Sequence, residues 1–274
     1  MIDTFFNTNN IAYLHMNQKM KALAHQIVDS IADRVQQECK QNFFQMSKTV
    51  DIGADGTPTK YIDKFAEDIA IELLEQTGIK VDLLSEEIGT IERDGKYTFV
   101  LDPIDGTRNA YRGIPFYSVS LAIGTSKISN VEYGVVKNIP TGDTFFAEKK
   151  KGAFMNNKRI SVADVPSKDI VSSLVLGKIN DTKALSLAQK NNVRSLGSAS
   201  LEMCMVATGA IDFYLIGKEY MRVVDIAAST LIVREAGGYV KNMLGQDLDM
   251  NFNLEERTSV IASCSEELIQ RILH

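Results

Sequence analysis

One ten-residue stretch constrains this chain more than any other: Thr98-Phe99-Val100-Leu101-Asp102-Pro103-Ile104-Asp105-Gly106-Thr107. Its apolar first half reads as a buried strand, and Pro103 and Gly106 stop the strand and force a turn. Asp102 and Asp105 are thereby set at the carboxyl end of an apolar element. Carboxylates in such a place are heavily penalised unless a cation or a hydrogen-bond network compensates them. Two readings compete on these residues alone. One is a turn whose Asp side chains bond the neighbouring backbone. The other is a ligand pair for Mg²⁺, an ion held by a few carboxylates together with phosphate oxygens of a substrate.

The remaining chain narrows the class. With 274 residues it can bury a substantial core as one large α/β domain or two modest ones. A formal charge of −5 and the lack of any Lys/Arg block argue against a nucleic-acid surface. No apolar run has the length of a membrane span, and the N-terminus lacks the basic flank and apolar core of a signal peptide. Cys39, Cys204 and Cys264 are scattered and form no metal-ligand pattern, which implies a reducing, cytoplasmic setting and no thiol chemistry. The histidines, His15, His25 and His274, all lie towards the termini. That argues against imidazole-bound zinc or a Ser-His-Asp triad, and predicts ordinary helix-surface roles for His15 and His25.

Hydrophobic spacing predicts a long amphipathic helix over 17–47, with Leu23, Ile27, Ile31, Val35 and Cys39 on one face and Phe43-Phe44 packed under the next layer. A polar loop over 51–60 precedes a second helix from Lys60 to Thr77, which has Asp63 in its first turn and Gly78 at its end. Short strands follow at 81–85, 97–101, 117–123, 131–137 and 143–148, with a hairpin turn at Arg93-Asp94-Gly95, and their succession predicts an antiparallel sheet. Lys149-Lys150-Lys151 reads as a solvated turn. Beyond about Ser161 strands alternate with helices, which suggests α/β layering. The expected division is 1–160 and 161–274, packed as one body. The last strongly apolar helix, 225–236, begins at Asp225 and ends before Gly237-Gly238.

Asp63, Glu86, Asp102 with Asp105, and Asp225 therefore share one property: each sets an acid at the edge of an apolar element. A helix cap accounts for Asp225 alone, and a surface acid for Glu86 alone. Shared cations account for their joint occurrence. Three of these segments, Glu86-Glu87, Asp102 to Thr107, and Asp225-Ile226-Ala227-Ala228 leading to Glu235-Ala236-Gly237-Gly238, stand in the order of a known pattern. The chain resembles the inositol monophosphatase family of lithium-sensitive, magnesium-dependent sugar phosphatases, and is most similar to archaeal-type members that also act on fructose 1,6-bisphosphate.

The resemblance implies a five-layer αβαβα fold of the α/β class (α+β in some schemes), with an antiparallel sheet in the N-terminal half and a mixed sheet in the C-terminal half. It implies a homodimer that hydrolyses a small phosphorylated sugar or polyol with two or three Mg²⁺ ions, for which Mn²⁺ could substitute. In that pattern Glu86, Asp102 and the Ile104 carbonyl hold one metal, and Asp102, Asp105 and Asp225 a second. Asp55 is a candidate for a third beside the catalytic Glu86. Thr107 and Asp63 would position the attacking water, and the amides of Gly106 and Thr107 would receive the phosphate. Two bridged cations suit an in-line displacement, and a helix start suits phosphate oxygens. The Asp-x-x-Asp spacing, a third of the way along the chain, does not fit phosphatases that form an aspartyl-phosphate.

Some positions depart from the pattern. Val224 replaces an aromatic residue. Leu215, before Ile216-Gly217, stands where inositol-specific members carry a glutamate for ring hydroxyls. Arg222 and Arg194 are candidates for a second phosphate, because guanidinium matches phosphate oxygens bidentately. The bland reading of each is a surface arginine. Lys218 and Tyr220 are candidates for the same rim, Ser198 and Ala199 for the sugar, and Arg108 follows the motif with no assigned role. The alternatives are a 3′-phosphoadenosine 5′-phosphate phosphatase or a non-catalytic metal-binding homologue.

Overall fold

Alternation along the strands explains the layering. In the computed structural model, which describes residues 8–54, 56–164, 169–175 and 182–274 (side chains of 8–17 and 182–184 excepted), the motif strand has two buried faces. Phe99 and Leu101 point into one core, and Val100 into another.

The chain begins with helix α1 (Thr8–Asn42), a 3-10 turn, the hairpin β1 (Thr49–Ile52) and β2 (Pro58–Lys60), and helix α2 (Tyr61–Thr77). Next come β3 (Asp82–Ser85), β4 (Gly89–Ile91), the motif strand β5 (Thr98–Asp105) and the short helix α3 (Thr107–Arg112). A meander follows: β6 (Ser118–Gly124), β7 (Tyr133–Asn138), β8 (Thr144–Glu148), β9 (Gly152–Met155) and β10 (Lys158–Ile160). The last part holds β11 (Val171–Leu174), α4 (Thr182–Lys190), β12 (Asn192–Arg194), α5 (Ala199–Ala207), β13 (Phe213–Met221), α6 (Val223–Glu235), β14 (Tyr239–Lys241), β15 (Thr258–Ser263) and α7 (Glu266–Leu273).

Among the described residues, strands β3 to β10 form one sheet in the order β10-β9-β8-β7-β6-β5-β3-β4, and β11 to β15 a second in the order β12-β11-β13-β15-β14. Helices α1 and α2 cover the Phe99–Leu121–Val135 face of the first sheet. The Val100–Ala122–Val136 face packs on α5 and α6, and those helices also bury Tyr214, Ile216, Val260 and Ala262 of the second sheet. The far face of the second sheet, with Phe213, Leu215 and Ile261, packs on α7. The resulting order is helix, sheet, helix, sheet, helix, as the resemblance implies. The middle layer is buried on both sides, which explains why α6 is apolar all round.

Several local expectations are corrected. Helix α1 starts before residue 17 and ends at Asn42, where the chain tightens into a 3-10 turn; Phe44 is exposed rather than packed. The first sheet is not purely antiparallel, because β3 and β5 run parallel. Arg93-Asp94-Gly95 is thus no hairpin: it links β4 to β5 across the intervening β3. Asp82 fastens it, with Oδ1 accepting from Arg93 N at 2.7 Å and Gly95 N at 3.0 Å. His25, on α1, turns its ring to the sheet, with Nε2 2.6 Å from the Tyr133 hydroxyl. The triple-lysine turn is exposed, as expected, and its backbone is tethered, since Lys150 N and Gly152 N donate to the Glu235 carboxylate at 2.7 and 2.9 Å. Glu235 thereby ties the end of α6 to the first sheet. Gly238 is required beside it, because a Cβ there would lie 2.8 Å from Val233 Cγ1 and 2.9 Å from the Ser263 carbonyl.

Candidate metal centre

Strand β5 continues through Pro103 to Asp105, with a register shift between Asp102 and Asp105 against β6. Proline is tolerated at such an irregularity, where the ladder is already broken. Both aspartates are buried. Asp102 Oδ1 accepts from Ile104 N at 3.1 Å, which folds the carboxylate back over the bulge. Glu86 sits in the turn joining β3 to β4. That turn is held from below by the buried Glu67 of α2, whose Oε1 accepts from Ile88 N at 3.0 Å. Asp225 is in the first turn of α6, and its Oδ2 accepts from Arg222 N at 2.7 Å in a capping-box arrangement.

Three separate segments thus bring Glu86, Asp102 and Asp225 together, each with a carboxylate oxygen within 4.8 Å of the others. Burial pushes Asp102 well above the usual carboxylate range, and Glu86, Asp105 and Asp225 add to the shift. Glu86 is pushed up to about 7 by burial, although the Arg222 guanidinium opposes the shift. All these donors are carboxylate oxygens. A hard divalent cation suits such a set, and the residues fit one.

A basic side chain also enters the cluster. Arg222 Nη1 lies 2.5 Å from Glu86 Oε1 and Nη2 lies 2.8 Å from Asp225 Oδ1, with the arginine side chain only 16% exposed. The surface reading of Arg222 is therefore wrong. The guanidinium pairs with Glu86 and Asp225 of the triad.

Asp63 and Thr107 meet beside it. Thr107 Oγ1 is 2.9 Å from Asp63 Oδ1 and 3.0 Å from the Ile104 carbonyl. Burial, followed by the charge of Glu86, pushes Asp63 well above its ordinary value. Gly106, at φ +97°, opens α3; a Cβ there would lie 3.1 Å from the Gly197 carbonyl.

Asp105 adjoins the triad without belonging to it, and serves the start of α5. Its Oδ2 accepts from Ser198 Oγ at 2.7 Å, Ser200 N at 2.7 Å and Ser200 Oγ at 2.6 Å, and its Oδ1 from Ala199 N at 3.2 Å. Burial raises it to about 6 against these bonds. Ser198 and Ala199 are accordingly turned to Asp105 and buried. Leu215 is a core residue of the second sheet, packed towards α7, not a rim position. Lys218 and Tyr220 lie exposed where β13 leaves its register with β15. Arg194 and Arg108 are exposed. Asp55 lies outside the described residues; next to it, Ala54 N donates to the Glu87 carbonyl at 2.7 Å, and Thr59 donates to the Glu87 side chain. Glu87 is thereby fastened to the β1–β2 hairpin.

Two buried acids and one half-buried amide escaped sequence reading. Glu67 supports the Glu86 turn. Glu202 accepts from Leu196 N at 2.8 Å, Gly197 N at 3.2 Å and Ser173 Oγ, shaping the loop that meets Asp105. Asn109 Nδ2 donates to the Phe116 and Leu196 carbonyls at 2.7 and 2.6 Å. The signal for Glu202 was present: an acid inside the otherwise apolar run 199–207.

The raised carboxylates predict a pH effect. A carboxyl whose folded value exceeds its unfolded one of about 4 stabilises fully below the unfolded value, and the contribution is lost as pH rises through the folded one. With Asp105 at about 6 and Glu86 at about 7, chelator-treated protein should lose stability between pH 5 and about 7. Divalent cation should flatten that slope. Melting temperatures across this range, with and without chelator, measure it; a flat or rising profile in chelator contradicts the electrostatics above.

Among the described residues no helix is long and apolar enough to cross a membrane. The profile of the inositol monophosphatase family matches residues 16–274. The chain is 42% identical over 238 residues to a fructose-1,6-bisphosphatase/inositol-1-monophosphatase of Methanothermobacter thermautotrophicus, covering 82% of this chain and 85% of that protein. It is 41% identical over 252 residues to a bifunctional NADP phosphatase/NAD kinase of Methanococcus maripaludis, covering 83% of this chain but only 44% of that protein. A solved structure from Pyrococcus horikoshii, of a protein with similarities to inositol-1 monophosphatase, superposes with a TM-score of 0.81 at 33% identity, covering 93% of this chain and 97% of the other. With the acidic triad, the Asp63–Thr107 pair and the layered fold in agreement, this chain belongs to the inositol monophosphatase family.

Proposed function

We propose that the protein hydrolyses phosphate monoesters of small sugars or polyols, fructose 1,6-bisphosphate and inositol monophosphate above all, with Mg²⁺ or, in its place, Mn²⁺. The observation that carries this reading is the meeting of Glu86, Asp102 and Asp225 within 4.8 Å, beside the Thr107–Asp63 hydrogen bond. In this reading Glu86, Asp102 and the Ile104 carbonyl would hold one ion. Asp102, Asp105 and Asp225 would hold a second. Bound divalent ions supply charge neutralisation and an acidified water.

The chain's own groups do the positioning. Thr107 Oγ1, donating to Asp63, keeps a lone pair to accept from the attacking water and aim it along the axis of displacement. Asp63, buried, accepts from Thr107 and so fixes the direction of that hydroxyl. The amides of Gly106 and Thr107 at the start of α3 offer donors to phosphate oxygens. Assembly as a homodimer and inhibition by Li⁺ belong to the same reading, on family resemblance.

The relative bearing the name NADP phosphatase supports a second substrate class, a phosphate on a dinucleotide. The deciding experiment measures phosphate release from fructose 1,6-bisphosphate, inositol 1-phosphate, 3′-phosphoadenosine 5′-phosphate and NADP on one preparation in Mg²⁺. Turnover of the first two, lost in chelator, is expected. Release from none of the four by folded protein would end the phosphatase reading.

A further inference from the structure

The guanidinium in the cluster has no place in the catalytic steps above, yet it takes up the oxygens those steps need. Arg222 engages both oxygens of Asp225, through N at 2.7 Å and Nε at 3.3 Å to Oδ2 and through Nη2 at 2.8 Å to Oδ1, and one oxygen of Glu86 through Nη1 at 2.5 Å. Glu86 and Asp225 are two of the three carboxylates that converge. A divalent ion on the same pair would compete with the guanidinium for those lone pairs and repel it at close range.

The backbone of Arg222 stays pinned as the helix cap through its own N–H to Asp225, so side-chain rotation alone can withdraw the guanidinium.

We propose that Arg222 is a built-in counter-cation that holds Glu86 and Asp225 until a divalent ion displaces it, and so sets the metal concentration at which the centre fills. The proposal rests on the metal-dependent phosphatase reading. An ordinary structural ion pair predicts the reverse: it would remain in place, and removing it would loosen the ligands and weaken metal binding.

By linkage, whatever stabilises the metal-free form against the loaded one lowers metal affinity by the same factor. Binding of Mn²⁺ to chelator-stripped, dialysed protein, measured by calorimetric titration, separates the two. Arg222→Met is expected to bind Mn²⁺ about tenfold more tightly than wild type. It should also melt below wild type in chelator and level with it in saturating Mg²⁺. Affinity unchanged or weakened, or a melting deficit that persists in Mg²⁺, overturns the proposal. Should Arg222→Met fail to fold without metal, Arg222→Lys decides. It keeps one charge but loses the bidentate fork, and should bind Mn²⁺ a few-fold more tightly; unchanged or weaker binding again overturns the proposal. Uptake of no divalent ion by wild type would instead sink the metal reading itself.

Discussion

Asp102→Asn is expected to release phosphate at least about 10²–10³-fold more slowly than wild type in saturating Mg²⁺, while its metal-free form melts no lower than wild type. The two halves of this result follow from one fact. Asp102 is buried with three acids around it, and its carboxylate is held well above the usual range by that burial. Ionised, it weakens the metal-free fold and serves only where cations gather. Asparagine keeps the shape and the acceptor for Ile104 N, whose bond to Oδ1 measures 3.1 Å, but it removes the charge that two ions would share. Phosphate release and melting in chelator, on the same preparation, check both halves. Turnover within a few-fold of wild type would remove Asp102 from the chemistry, and a collapse in chelator would show that its role is structural.

The second large effect concerns stability. Asp105→Ala should destabilise the protein by about 3–5 kcal/mol, which for a chain of this size lowers the melting temperature by roughly 6–15 °C. Four donors, Ser198 Oγ, Ser200 Oγ, Ala199 N and Ser200 N, converge on this carboxylate. Without it they are left buried at the start of α5, in the helical layer that both sheets share. Asp105→Asn, which retains one good acceptor, should fall between. Denaturant melts of the three proteins in chelator measure the series. An alanine variant as stable as wild type would mean that water or neighbouring groups replace the carboxylate, and Asp105 would then be free to act chiefly as a metal ligand.

Sequence by itself determined the elements and the chemistry of the motif. The apolar run that ends at Asp102, the Gly78 stop after α2 and the unbroken apolar texture of the last long helix are local patterns, readable from neighbours in the chain. Family resemblance then named Glu86, Asp102 and Asp225 as partners. Only the tertiary structure decided how each acid is employed, because burial and hydrogen-bond partners come from residues far along the chain. Asp105, equivalent to Asp102 on paper, is taken up by a serine loop 93 to 95 residues away. Leu215, matched to a polyol-binding glutamate of the family pattern, is core because β13 turns it towards α7. Arg222 looked like a surface arginine in the sequence, since nothing within a helical turn of it signals an acid 136 residues earlier. A local pattern reports which side of an element is apolar; the field inside a cluster depends on what the fold brings opposite.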